Sequence, residues 1–216
     1  GTELEICDSC YERIPFIQGK ACSQCGQPIE GSYGSEQCLD CRDTLHYFVK
    51  NIPVCEYKGL VRQAIVRFKF FGKRRYAKPL GFLMADQIKQ MTNVTKFDII
   101  TYIPLSKRRL AQRGFNQSRL LCRSIAKRLK LFMGIDMLNK EKDMPPQSTL
   151  NRHQRQRNIK NVFRVTDKYN IKDTTILLVD DVYTTGVTVN ECSRLLRDAG
   201  VKEVYVVTIA IGKGIC

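Results

Sequence analysis

Three runs of the chain are almost continuously apolar and rich in β-branched or aromatic residues: Phe97–Ile103 (FDIITYI, closed by Pro104), Thr174–Asp180 (TTILLVD) and Glu203–Ile211 (EVYVVTIAI). That pattern predicts strands buried on both faces. Helical spacing lies between them. Leu60, Ala64, Ile65 and Phe68 recur on one face, and a second amphipathic stretch covers about Leu80–Ile88. Leu120, Leu121, Ile125 and Leu129 share a face of a helix predicted from about Asn116 to Leu131, and another runs from roughly Val189 to Ala199, stopped by Gly200. Strands alternating with helices predict an α/β domain with a mostly parallel sheet. Two stretches lack the pattern. Residues 105–114 read as a basic loop, and residues 139–161 are polar and carry Pro145-Pro146. A loop as long as the second is usually functional.

Residues 1–55 have a different texture, short on apolar periodicity and rich in Gly, Ser and Cys. Such a segment can hardly bury a core, so something other than hydrophobic burial must hold it. The change near Asn51–Cys55 divides the chain into a module of residues 1–55 and an α/β domain of residues 56–216. Six of the ten cysteines fall as Cys7-x-x-Cys10, Cys22-x-x-Cys25 and Cys38-x-x-Cys41. Each pair presents two thiolates from one tight turn, and two pairs complete the tetrahedral sulfur shell that Zn²⁺ favours. Gly26, directly after Cys25, suits a turn that needs positive φ while amides point at the sulfurs. Spacing leaves two pairings open, Cys22/Cys25 with Cys38/Cys41 or Cys7/Cys10 with Cys22/Cys25, and a binuclear site or an absent fourth pair are further options. A redox motif needs one C-x-x-C beside a βαβ unit, which three pairs in a strandless acidic segment do not provide. A full thiolate shell leaves no position for substrate, so the zinc is expected to be structural. Cys55, Cys122, Cys192 and Cys216 stand alone and read as buried or incidental. No apolar run reaches the roughly 18–20 residues that span a bilayer. Residues 1–10 show no basic segment leading into an apolar one. The expectation is a cytoplasmic protein with reduced thiols and no membrane insertion.

Charge sharpens the picture. The 216 residues carry a formal net charge of +15, and between residues 58 and 164 Lys and Arg outnumber Asp and Glu by 26 to 5. A field so concentrated implies a polyanionic partner, either nucleic acid or a phosphorylated metabolite. The competing reading is a solvated, solubilising surface.

The most specific chemistry lies in Ile176-Leu-Leu-Val-Asp180-Asp181-Val-Tyr-Thr184-Thr185-Gly186-Val187-Thr188. A strand delivers two carboxylates at its C-terminal end, where ligands bind in open α/β sheets. A small-residue turn then opens a helix, whose N–H groups and neighbouring hydroxyls can cradle a phosphate. Carboxylates accept hydrogen bonds from sugar hydroxyls, so the combination describes a ribose 5-phosphate site. The stretch resembles the phosphoribosyl pyrophosphate (PRPP) motif of type I phosphoribosyltransferases. By that resemblance Asp180 and Asp181 would meet the ribose hydroxyls, and Thr184, Thr185, Gly186, Val187 and Thr188 the 5′-phosphate. Pro104-Leu-Ser106-Lys107-Arg108-Arg109 would hold the pyrophosphate, which arrives with Mg²⁺. One departure matters: Thr184 stands where purine-salvage members commonly carry an Asp that acts on the purine ring. That weakens a purine-salvage reading.

Pro104-Leu-Ser with Arg113-Gly-Phe-Asn-Gln117, Tyr57-Lys58-Gly59 and Phe68-Lys69-Phe70 resemble the ComF (ComFC) family of late competence proteins, as does the order of a Cys-rich module before a phosphoribosyltransferase-like domain. Gram-positive members often carry a further C-x-x-C ahead of these. By that resemblance Cys7 and Cys10 would be half of a first zinc ribbon, and Cys22, Cys25, Cys38 and Cys41 the intact second. The family also implies a role in natural transformation, handling incoming single-stranded DNA beside a ComFA-type helicase. Candidate phosphate contacts are Lys69, Lys73, Arg74, Arg75 and Arg113, followed by Arg152, Arg155 and Arg157. Phe68, Phe70, Phe71, Tyr76 and Phe115 interleave with them as candidate base-stacking rings, although Phe68 and Phe115 read equally well as core. An active phosphoribosyltransferase on an unidentified acceptor, or a PRPP-sensing DNA-binding regulator, would share this site.

Overall fold

The computed structural model describes residues 6–29, 36–141 and 162–212. In chain order the elements are α1 (Asp8–Tyr11), α2 (Leu39–Arg42), β1 (Asn51–Glu56), α3 (Gly59–Phe70), α4 (Ala77–Met91) and β2 (Ile99–Tyr102). Then come α5 (Lys107–Arg113), α6 (Gln117–Leu129), β3 (Leu138–Lys140), β4 (Phe163–Val165), β5 (Thr175–Tyr183), α7 (Val187–Asp198) and β6 (Glu203–Ile211).

Four strands form one sheet in the order β1-β6-β5-β2, and every pairing in it is parallel, with Ile99 opposite Ile176 and Leu178 opposite Val206. Alternation along β5 divides the core in two. Leu177 and Val179 pack with α3, α4 and α6 through Ile65, Phe68, Met84, Ile88, Leu121 and Ile125. Ile176 and Leu178 face the opposite way, toward Val189, Cys192 and Leu196 of α7, the β3–β4 ribbon and the cysteine module. A sheet covered on both faces explains why its strands are apolar at nearly every position.

Three elements depart from the sequence pattern. Residues 51–55, grouped by composition with the cysteine module, form an edge strand beside β6. Pro53 obscures it, because a proline demotes a strand signal unless the strand lies at an edge. The basic stretch after β2 is helical at Lys107–Arg113, capped by Ser106 and ended by Gly114 in the left-handed region at φ 73°. Phe163–Val165 pairs antiparallel with Leu138–Lys140, both too short to carry a periodic signal. Most of the polar stretch 139–161 lies outside the described residues. Among those described, no helix is long and apolar enough to cross a membrane. Because the sheet is parallel, β2 and β5 deliver their C-terminal ends to one edge, where the acidic pair sits.

Candidate functional site

Strand β5 runs on to Tyr183, so Asp180 and Asp181 lie near its C-terminal end, and their carboxylates reach partners on α6 and α3 respectively. Asp180 is half-buried, and its Oδ1 accepts from Ser118 Oγ at 2.9 Å and from the Asp181 backbone N–H at 2.9 Å. Asp181 is buried; its Oδ1 accepts from the Val182 N–H at 2.8 Å, and Lys69 Nζ lies 2.7 Å from Oδ2. Burial and the adjacent Asp181 push the Asp180 carboxyl up to about 7, with Lys69 and the hydrogen bonds pulling the other way. Arg113 is half-buried beside them. Burial lowers its pKa, attraction to Asp181 raises it and repulsion from Arg109 lowers it again. Its guanidinium donates to Gln117 Oε1 and lies 5.4 Å from the centre of the Phe70 ring.

Beyond Tyr183, Thr184 and Thr185 turn the chain into α7 through Gly186, whose φ is 71°. A Cβ at Gly186 would lie 2.1 Å from the Tyr183 hydroxyl oxygen, so conformation and packing both require glycine. The cap has no side chain, which leaves the amides of the first turn directed into the pocket with no intrahelical acceptor. Asp180 and residues 182–189 line that pocket. Thr184 is exposed, Thr185 and Thr188 are half-buried, and Gly186 and Val187 are buried. On the β2 side, Ser106 is buried and its hydroxyl accepts from the Arg109 N–H at 3.3 Å as a helix cap, while Lys107 and Arg108 are exposed.

The remaining cations divide. Lys69, grouped by sequence with the surface cations, has its ammonium on Asp181. Lys73, Arg74 and Arg75 are exposed, Arg74 donating to the Gly114 carbonyl at 2.8 Å and lying 5.0 Å from the Phe115 ring centre. Phe68 and Phe115 are core residues with ring centres 5.5 Å apart, whereas Phe70 and Phe71 are 70% and 67% exposed. Arg152, Arg155 and Arg157 lie outside the described residues. Ser118 is the partner that the sequence reading missed. It occupies the buried stripe of α6 with Leu121, Cys122 and Ile125, and a hydroxyl at such a position is the signal that would have found it.

Cys22, Cys25, Cys38 and Cys41 come together with all four Sγ atoms within 4.8 Å of one another. Gly26 has φ 75°, the Gln27 N–H donates to Cys25 Sγ at 3.4 Å and the Cys38 N–H to Cys22 Sγ at 3.3 Å. Contact with Cys41 pulls the Cys25 thiol down to about 6, and burial pushes Cys38 up to about 11. Four converging thiols with amides on their sulfurs fit a structural metal ion. Cys7 caps the single turn α1 and Cys10 lies within it, and Cys7 Sγ meets Ser9 Oγ at 3.5 Å; they are not part of the cluster. The module also touches the Thr/Gly turn and the start of α7. Phe48 packs edge-on to Tyr183 with ring centres 6.4 Å apart, and Asn190 accepts from the Tyr47 N–H at 2.8 Å while donating to the Leu45 carbonyl at 2.9 Å.

The family described as "Phosphoribosyl transferase domain" matches residues 116–214, the segment that carries Ser118, the acidic pair and the glycine cap. Over 204 residues the chain is 30% identical to DNA utilization protein YhgH of Escherichia coli (strain K12), covering 93% of this chain and 88% of that one. It is 29% identical over 205 residues to competence protein ComFC of Bacillus subtilis (strain 168), covering 91% and 79%. The chain belongs to the ComF family. Among solved structures, the allosteric regulatory enzyme of purine biosynthesis overlays with a TM-score of 0.46 and 17% identity, over 66% of this chain and 29% of that one. The chain combines a parallel sheet with flanking helices, matched by the phosphoribosyl transferase domain family, and an N-terminal cysteine cluster able to hold a metal.

Proposed function

We propose that this ComF protein serves DNA uptake in natural competence, handling single-stranded DNA in the cytoplasm while its phosphoribosyltransferase-type site holds PRPP or a related phosphosugar with Mg²⁺. The observation that carries the reading is the acidic pair beside a glycine-capped helix start at the C-terminal edge of a parallel sheet. In that site Asp180 and Asp181 take the ribose hydroxyls, the turn Thr184–Thr188 takes the 5′-phosphate, and Lys107 and Arg108 face the pyrophosphate. Names among the relatives support the DNA role, since one is a competence protein and another a DNA utilization protein. Lys73, Arg74 and Arg75 with exposed Phe70 and Phe71 offer phosphate contacts and stacking rings to an unpaired strand. Cys22, Cys25, Cys38 and Cys41 hold a structural Zn²⁺, and a ComFA-type helicase delivers the strand.

Binding of labelled random single strands, compared with duplex of the same length, tests the DNA role. Single strands should bind more tightly, with an affinity that falls steeply with salt as counterions are released. Preference for a duplex of defined sequence would instead indicate a regulator. A second reading, phosphoribosyl transfer to an acceptor, is favoured by Asp180, because a carboxyl near 7 can exchange a proton at neutral pH. Release of pyrophosphate from PRPP in the presence of a candidate acceptor would establish it.

A further inference from the structure

We propose that single-stranded DNA and the phosphosugar oppose each other's binding, because Lys69, Arg113 and the aromatic rim beside them serve both ligands. The proposal rests on the function proposed above and adds a regulation that follows from where the cations point.

Lys69 sits in the last turn of α3 with its ammonium turned inward, 2.7 Å from Asp181, and its side chain is only 19% exposed. The next two residues, Phe70 and Phe71, turn outward. The chain then folds back, so that Arg74 donates to the Gly114 carbonyl and Arg113, one residue earlier, lies over the face of Phe70. Residues 69–75 and 113–115 therefore make one rim. Its inner side neutralises the acidic pair, and its outer side presents two aromatic faces and the cations Lys73, Arg74 and Arg75.

A strand that stacks its bases on Phe70 and Phe71 places its phosphates beside the mouth of the ribose site. A phosphosugar carrying a pyrophosphate and a 5′-phosphate stays anionic even with one divalent cation bound. Arg113 spans the two seats, 5.4 Å from the Phe70 ring centre and interacting with Asp181; charges within a Debye length of about 8 Å at physiological ionic strength are only partly screened, so each anion raises the cost of seating the other. Lys69 sharpens the conflict. When the ribose hydroxyls take over Asp181, the displaced ammonium stays between Asp180, with which it already interacts, and the ligand's phosphates, so it is not offered to the strand. Arg113 faces the same choice between its inward attraction to Asp181 and the outer face of Phe70. By linkage, the factor by which one ligand weakens the other must be identical in both directions.

The test titrates the full chain into fluorescently labelled oligo-dT, with saturating PRPP·Mg²⁺ or with Mg²⁺ and sulfate at equal ionic strength. The DNA Kd is expected to rise about fivefold or more with PRPP, and calorimetry should show the PRPP Kd rising by the same factor when oligo-dT is saturating. Lys69→Gln should shrink that factor, while Arg75→Gln should weaken DNA binding and leave the factor in place. If both ligands bind but the factor is one, or if PRPP tightens DNA binding, the inference is wrong and the functional reading stands. Failure of either ligand to bind the wild-type chain would overturn the reading and the inference together. The two wild-type titrations decide the matter even if Lys69→Gln does not fold.

Discussion

On the proposed function, the Asp180 carboxyl should make phosphosugar binding a proton-releasing event, which calorimetry measures directly. In the folded chain the group holds its proton up to about 7, because burial and the neighbouring Asp181 disfavour its charge. In the unfolded chain a carboxylate ionises near 3.9. Between those values the folded state binds the extra proton, so the ligand-free chain should lose stability as pH rises from about 4 to about 7 and level off above. A displacement of about three units corresponds to roughly 4 kcal/mol at most, and on the order of 2 kcal/mol for a carboxyl lining an open pocket. Ribose hydroxyls donate to the ionised form, so the ligand pulls in the opposite direction. Below pH 7 its binding should expel up to about one proton per site, with affinity rising as much as tenfold per pH unit and flattening above. Calorimetry with PRPP·Mg²⁺ in two buffers of different ionisation enthalpy, at pH 6.3 and pH 8, counts those protons. Asp180→Asn is the control, since the phosphates of PRPP titrate identically with either protein. The wild-type chain should release more protons than Asp180→Asn at pH 6.3 and the same number at pH 8. Equal release at pH 6.3, or a wild-type stability that climbs between pH 5 and 7 relative to the variant, would refute the assignment.

Four further outcomes follow from the packing. Gly186→Ala should cost about 1–2 kcal/mol for the left-handed backbone alone; because its Cβ must also displace the buried Tyr183 ring, phosphosugar affinity should fall more than thermal stability. Metal analysis should find about one Zn per chain, lost in Cys25→Ser and retained in Cys7→Ser. Removing the metal should weaken phosphosugar binding as well as lower Tm, since Phe48 supports Tyr183 and Asn190 ties the first turn of α7 to residues 45–47. Asn190→Ala, which breaks those two hydrogen bonds while leaving the cysteines intact, should cost about 1–3 kcal/mol and reproduce part of that loss.

The sheet was largely legible in the sequence because its strands are buried on both faces and so read as unbroken apolar runs; Glu203–Ile211 matches the expected span residue for residue. Edge strand β1 was hidden, since an edge tolerates the Pro53 that a central strand would exclude. The placement of Asp180, Asp181 and the Thr/Gly turn was legible, because a buried apolar run ending in carboxylates and followed by a helix-opening glycine locates a strand end and a helix start. The direction of Lys69 was not. Nothing in the local pattern of α3 separates a lysine that faces solvent from one that turns beneath Phe70 to reach a carboxylate more than a hundred positions later. The same holds for the contact between the cysteine module and the Thr/Gly turn, where Phe48 and Tyr183 meet only through the fold. Long-range pairs of this kind leave no periodic trace.

The central claim is that the acidic pair and the turn after it form one phosphosugar site. Titration of PRPP·Mg²⁺ into the wild-type chain and into Asp181→Asn tests it most directly, with circular dichroism to show that both are folded. One PRPP per wild-type chain, and an affinity at least about tenfold weaker in the variant, is the predicted result. No binding to the wild-type chain, or equal affinity in a folded variant, would contradict it.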